Sequence, residues 1–240
     1  MKALTIGERL CGNPYPGRGI LLGRDEDGTG AVLVYFIMGR SENSRNRVFV
    51  PTEDGIKTEA HAPSKMKDPS LIIYHPVRIM GDTVIVTNGD QTDTIRDRLR
   101  SGGDFRSALM TRTFEPDGPI YTPRISGLLR PDGSYVLSIL KTLDGDPSCC
   151  CRFFYDYDCP LPGLGHLIHT YQGDGDPVPS FQGEPAPVKV SGGLEEYARE
   201  VWQALNSDNR VALFALRRDL KTGSVQTHII NKYASEGSAQ

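Results

Sequence analysis

The chain has 240 residues, 38% of them hydrophobic and 24% charged, with a formal net charge of −3. These values fit a globular protein with enough chain to bury a core and provide no basic field for nonspecific nucleic-acid binding. No apolar run approaches the roughly 20 residues of a membrane span, and the opening MKALTIGERLCGN lacks the long apolar region of a secretion signal, so a cytoplasmic protein without membrane partners is expected.

Residues 1–14 carry little pattern and read as an extension. Gly19–Gly23 and Ala31–Met38 (AVLVYFIM) are two strand-like runs joined by the polar turn RDEDGTG. The second run meets the loop GRSENSRNR, residues 39–47, and Val48-Phe49-Val50 resumes a strand. Arg40, Arg45 and Arg47 make this loop either a solvated charge cluster or a site for phosphate or carboxylate. Guanidinium forks bind such groups bidentately, and Ser41 and Asn46 would add donors. Thr52–Pro69 reads as a polar loop.

Residues 71–93, LIIYHPVRIMGDTVIVTNGDQTD, organise the rest. Gly81-Asp82 between two apolar runs predicts a hairpin with a two-residue type II′ turn. After Asn88-Gly89 the hydrophobic period changes from two to about 3.6, predicting a helix beyond a polar elbow. The frame carries Tyr74, His75, Asn88, Asp90, Thr92 and Asp93, with Tyr74 expected on the first strand. Asp90–Arg100 and Asp104–Arg112 are two helical segments, or one broken helix, parted by Gly102-Gly103, and Asp104 is a suitable N-cap. The turn cluster Phe114–Gly118 follows.

A second hairpin is predicted from Arg124–Arg130 and Ser134–Leu140 around Pro131-Asp132-Gly133, and Cys149–Tyr157 is a further strand. Leu161–Pro187 is rich in Gly and Pro and reads as a long ordered loop with a short strand at His166–Tyr171. Gly193–Leu205 is an amphipathic helix, Val211–Leu216 and Val225–Ile230 a last strand pair, and the tail from Ala234 is expected to fray. Strands come in hairpins, with helices grouped rather than alternating. The expected fold is therefore a single α+β domain over residues 1–240 with mainly antiparallel sheets.

The five cysteines form an odd set without Cys-x-x-Cys spacing, so no metal site is expected from Cys149-Cys150-Cys151. His166 and His169, three apart among Gly and Pro, do not favour a metal either. No phosphate loop, zincin or nucleophile-elbow motif is present. With Met1-Lys2 at the start, removal of Met alone would not expose a Ser, Thr or Cys nucleophile.

Three strings in order, GRSENSRNR, YHPVRIMGDTVIVTNGDQTD and RTFEPDGPIYTPRISG, resemble the archaeal-type IMP cyclohydrolase family and its bacterial relatives. The segment GHLIHTYQGDGDPVPSFQGEP is similar to the bacterial branch. The resemblance implies a four-layer α-β-β-α sandwich like that of N-terminal-nucleophile hydrolases, without a processed nucleophile. It implies ring closure of 5-formamidoimidazole-4-carboxamide ribotide to IMP with loss of water, needing no cofactor or metal, in a homo-oligomer. The family's arginine, tyrosine and glutamate fall on Arg47, Tyr74 and Glu115, with Arg45 or Arg40 as alternatives to Arg47 because the loop is longer here.

The chemistry suits these residues. Arg47 and the Asn88 amide could donate to a developing oxyanion, and Tyr74 and Glu115 could share the acid and base work in either order. Arg40, Arg45 and Arg124 are available for the substrate phosphate, while Ser41, Asn46, Gly89 and Thr92 line the same segments. Asp90 and Asp93 are expected to cap the helix or meet ribose hydroxyls. The competing readings are a purine-nucleotide-binding or regulatory protein without turnover, and an amide hydrolase of related fold.

Overall fold

The computed structural model describes residues 3–66, 69 and 71–233. The expected fraying from Ala234 lies outside them. Helix α1 (Ile6–Leu10) leads to β1 (Arg18–Arg24) and β2 (Gly30–Met38), and the short α2 (Glu42–Arg45) precedes β3 (Val48–Thr52) and β4 (Gly55–Glu59). The hairpin β5 (Val77–Met80) and β6 (Thr83–Thr87) feeds α3 (Gln91–Arg100) and α4 (Phe105–Leu109). β7 (Arg124–Leu129), β8 (Tyr135–Leu143) and β9 (Asp146–Tyr157) form a meander. β10 (Leu164–His169), β11 (Ala186–Lys189), α5 (Leu194–Ala204), β12 (Arg210–Asp219) and β13 (Val225–Asn231) complete the order.

The strands make two sheets, β11-β10-β1-β2-β12-β13 and β3-β4-β5-β6-β7-β8-β9, with neighbours antiparallel throughout. The expected α+β class with mainly antiparallel sheets is what the chain forms.

Alternation along the strands explains the packing. On β2, Ala31, Leu33, Tyr35 and Ile37 join a core between the sheets, while Val32, Val34, Phe36 and Met38 join a second core under α1 and α5. Both faces of β2 are covered, so its sequence is apolar without interruption. On the other sheet Val84 and Val86 face the shared core, whereas Ile85 packs with Ile95, Phe105 and Leu109 under α3 and α4. The strong amphipathic pattern of α5 has its counterpart in buried Tyr197, Ala198 and Val201. Among the described residues no helix is long and apolar enough to cross a membrane.

Several local expectations are corrected. Residues 1–14 are not featureless: Thr5 and Glu8 form a capping box for α1, Ile6 and Leu10 are buried, and Lys189 donates to the Leu4 carbonyl at 2.8 Å. A five-residue helix is too short to display a period. The polar stretch after Thr52 contains β4, whose Ile56 and Thr58 are buried between half-exposed neighbours. In the Gly- and Pro-rich region the short strand expected at 166–171 is β10, shifted to Leu164–His169 and paired to β1 inside a sheet, and β11 adds an unexpected strand at the sheet edge.

The hairpin turn at Gly81 has the expected positive φ of 55°, but its first strand begins at Val77 rather than Leu71. Tyr74 therefore precedes the strand. Its backbone exchanges hydrogen bonds with Thr58 instead: Tyr74 N donates to Thr58 Oγ1 at 2.9 Å, and Thr58 N to Tyr74 O at 2.9 Å. The segment expected as Asp104–Arg112 closes sooner, at Leu109.

Candidate active site

At one end of the space between the sheets, side chains from distant segments converge. Arg18 opens β1 in phase with inward-facing Ile20 and Leu22, and its amide donates to Thr170 Oγ1 at 3.1 Å. Arg47 follows α2 and is fully buried. Its Nε donates to Ser44 O at 2.8 Å and an Nη to Met38 O at 3.3 Å, while the other terminal nitrogen is buried without a partner among the described residues. Tyr74 and Tyr35 meet hydroxyl to hydroxyl at 2.8 Å. Glu115 is 2% exposed, its amide donating to Thr122 O at 2.9 Å.

These groups share one electrostatic environment. Burial pushes the Glu115 carboxyl up to about 7, partly opposed by the positive charges of Arg18, Arg124 and Arg47 and reinforced by Asp117. Burial would lower the Arg18 pKa, but Tyr171, Glu115, Tyr15 and Tyr74 outweigh it and the pKa is raised. Burial, with Arg18 nearby, lowers that of Arg47. Burial and then Tyr74 raise the Tyr35 phenol. At neutral pH tyrosines are uncharged, so Glu115, in its ionised form, is the anion facing Arg18. Yet among the described residues Arg18, Arg47 and Glu115 form no ion pair with one another or with any other residue. Buried charges without direct partners are expensive and cluster where a ligand is to be held.

The loop carrying Glu115 is tightly braced. Asp117 accepts the Thr122 amide at 2.6 Å and also the Thr122 hydroxyl. Tyr121 has φ +49°, a region that L side chains enter at a cost, and its ring meets Phe114 edge-on at 5.5 Å. Thr122 in turn touches the Tyr171 hydroxyl at 2.7 Å, and Tyr171 stacks on Tyr15 with ring centroids 5.6 Å apart.

The other expected site residues divide into groups. Gly89 belongs with the cluster: a Cβ there would lie 2.6 Å from Arg124 Nη1, 2.7 Å from Gln91 Oε1 and 3.4 Å from Glu115 Oε1. Asn88 is fully buried and used internally, its oxygen accepting the Ile125 amide at 2.9 Å and Gln91 Nε2 at 3.0 Å, its Nδ2 donating to Pro123 O at 2.8 Å. Thr92 bonds the Thr87 hydroxyl at 2.6 Å and fixes the same elbow. Asp90 does not cap α3 with its side chain; it receives Arg112 and Arg124, the latter at 2.7 Å. Burial would raise the Asp90 pKa, but these arginines hold it below its ordinary value. Asp93 binds Arg78 and Arg96.

Within the arginine loop the roles separate. Arg45 is tied to Gly39 O and Asn209 Oδ1, each at 2.9 Å. Asn46 bonds both ways with Ala62, and Ser41 caps α2. Arg40 is exposed, pairs with Asp174, and lies over the Tyr15 ring at 5.0 Å. His166 and His169 face opposite sides of β10: one bonds the Tyr135 hydroxyl at 2.7 Å, the other the Tyr171 carbonyl at 2.9 Å.

Arg18, Tyr35 and Tyr171 escaped the sequence reading. The available signal for the first two was an arginine and a tyrosine at positions in phase with core-facing residues of β1 and β2.

The family model described as IMP cyclohydrolase-like protein matches residues 15–223. The chain belongs to the IMP cyclohydrolase-like family. The family match spans Tyr15, Arg18, Tyr35, Arg47, Tyr74, Glu115 and Tyr171, so the whole buried cluster lies within it. The chain is similar to a protein of Methanopyrus kandleri named IMP cyclohydrolase, 32% identical over 187 residues, which are 70% of this chain and 89% of that protein. It is similar to one of Methanococcus maripaludis with the same name, 35% identical over 130 residues, covering 51% of this chain and 61% of that protein. A Halobacterium salinarum protein of that name is 28% identical over 131 residues, 53% of this chain and 63% of its own length.

Proposed function

We propose that this chain is an IMP cyclohydrolase that closes 5-formamidoimidazole-4-carboxamide ribotide to IMP at the cluster around Arg47, Tyr74 and Glu115. The observation that carries the site assignment is the trio of buried charged side chains, Arg18, Arg47 and Glu115, which surround one another without pairing. The relatives' names carry the reaction.

The carboxamide nitrogen is a weak nucleophile because its lone pair is delocalised into the carbonyl. Holding it against the formyl carbon is therefore the first task, worth up to about 7–11 kcal/mol when geometry is well set. As the nitrogen–carbon bond forms, the formyl oxygen gains negative charge and the unpaired Arg47 N–H is suited to receive it. A proton leaves the amide nitrogen, the oxygen is protonated, and the carbon–oxygen bond then breaks as water departs. The formamido nitrogen loses its proton to complete the ring. A carboxyl titrating at about 7 can accept and return protons at neutral pH. We assign these transfers to Glu115, with the Tyr74–Tyr35 hydroxyl pair orienting the formyl oxygen. Arg40 and Arg124 can meet the phosphate by exchanging their present carboxylate partners, Asp174 and Asp90.

The same reading takes the two sheets and their helical covers as the four-layer sandwich of N-terminal-nucleophile hydrolases, in a cytoplasmic homo-oligomer. Gly89→Ala is expected to displace Arg124 and Gln91 and lower kcat by roughly 10²-fold, as small misplacements in an oriented site do; steady-state rates with a circular-dichroism check of folding test this. The reaction is tested by mixing the chain with the formamido ribotide and following IMP by ultraviolet absorbance. Closure faster than the uncatalysed rate is expected. Nucleotide binding without faster closure would instead make the chain a binding protein. A Tyr74→Phe variant with full rate would remove Tyr74 from the site.

A further inference from the structure

The hydrogen bonds behind Glu115 have a fixed direction. Asp117 sits half-buried at the base of the loop, and its carboxylate is an acceptor only. One oxygen takes the Thr122 amide at 2.6 Å and the other takes the Thr122 hydroxyl. That hydroxyl has one hydrogen, and Asp117 claims it. The Thr122 oxygen can then meet the Tyr171 hydroxyl, 2.7 Å away, only by accepting its hydrogen. The Tyr171 O–H is thereby turned outward toward Thr122, and its oxygen lone pairs are left facing away from that bond.

Those lone pairs belong to a buried ring. Tyr171 is 3% exposed and stacked on Tyr15, and the positive charge of Arg18, which also acts on Glu115, reaches it. Arg18 Nε is buried without a partner, and no hydrogen bond joins it to Tyr171 among the described residues. The phenol oxygen is thus an acceptor held toward the cluster, and nothing among the described residues donates to it. The backbone keeps it there: Tyr171 N donates to Pro16 O at 3.2 Å, and a Cβ at Gly17 would lie 2.5 Å from the Tyr171 ring.

We infer that Tyr171 is a further substrate-contacting residue, an acceptor for the carboxamide N–H, and that Thr122 and Asp117 are positioning residues that fix its polarity. This inference rests on the function proposed above. The carboxamide offers two N–H groups, one of which must surrender its proton. Binding the other through Tyr171 would turn the nitrogen toward the formyl carbon, a contribution realised in the closing step more than in binding.

Asp117→Asn is the discriminating variant. Its carbonyl must still face the Thr122 amide, so its NH₂ points at the Thr122 hydroxyl. Thr122 then donates to Tyr171, and Tyr171 turns its own hydrogen into the site, where it opposes the substrate N–H. Every ring is retained and only the direction of the chain reverses.

Tyr171→Phe and Asp117→Asn are each expected to lower kcat by about 10–100-fold, the cost of one buried donor left unpaired, with KM little changed. The double variant should be no slower than either single one, because both remove the same acceptor. Thr122→Ser keeps the chain and should retain the wild-type rate. Asp117 also bears on Glu115 through its charge, so each variant is compared at the plateau of its own pH–rate profile, where an effect on Glu115 alone would vanish. Wild-type kcat in Tyr171→Phe, or in Asp117→Asn beside a slow Tyr171→Phe, would overturn the inference while leaving the reaction standing. A wild-type chain that fails to close the formamido ribotide would defeat the proposed function, and this inference with it.

Discussion

Glu115→Gln is expected to lower kcat by roughly 10²–10⁴-fold, the usual contribution of a positioned proton-transfer group, and at the same time to make the folded chain more stable in mild alkali. The two effects have one cause. In the folded chain burial raises the carboxyl from its ordinary 4.5 to about 7. Between those values the folded state holds a proton that the unfolded chain has released, so stability falls as pH rises through this window and the loss is complete above about 7. The penalty is on the order of 3 kcal/mol at pH 8. Gln removes it, so the variant should melt several degrees higher than wild type at pH 8 and gain nothing at pH 4, as read by calorimetry. The wild-type kcat should rise through an inflection near 7 if the ionised carboxyl takes the amide proton. An inactive variant that also melts lower at pH 8 would mean that Gln had merely damaged the fold.

Arg47→Lys should cost about 10²–10³ in kcat, as loss of one oxyanion donor does. Arg47 uses its fork in two ways: one side holds the carbonyls of Ser44 and Met38, and the other terminal nitrogen is unspent in a buried setting. A single ammonium cannot hold those carbonyls and also present a donor to the formyl oxygen. Arg45→Lys provides the contrast. Arg45 spends its guanidinium on Gly39 O and Asn209, so its replacement should affect stability more than rate. Equal losses of kcat in the two variants would mean that Arg47 has no privileged place in the reaction.

A strand covered on both faces was readable from an uninterrupted, β-branched and aromatic apolar run bounded by turn residues, as in AVLVYFIM, and Gly81-Asp82 was readable as a tight turn. Helices α3 and α5 were readable because amphipathic spacing and turn residues coincide at their ends, and the five-residue α4 because Gly102-Gly103 and the N-cap Asp104 mark its start. Elements too short to show a period were not: α1 spans five residues and β11 four. β10 was readable only as a short strand at 166–171, two residues late, because the Gly and Pro around it read as loop and hid its start, where Gly165 lies close to the backbone of β1.

The candidate site was half legible for a related reason. Arg47, Tyr74 and Glu115 stand in strings distinctive enough to be matched as strings. Arg18 and Tyr171 come together only because β1 pairs with β10, placing residues 152 apart in hydrogen-bond contact at Arg18 and Thr170. No local pattern encodes that meeting. Asn88 shows another limit: its oxygen and one amide N–H are spent in shaping the elbow, a use that its residue type did not signal.

The most direct test of the central claim is a crystal structure of the chain with IMP bound. The new ring edge, the former carboxamide nitrogen and formyl carbon, should lie within about 3 Å of the Glu115 carboxyl or the Tyr74 hydroxyl, with Arg47 and Arg18 on the same side of the base. IMP bound instead in the cleft of about 300 Å³ lined by Leu99, Phe105, Arg130 and Phe154, with the buried cluster untouched, would contradict it.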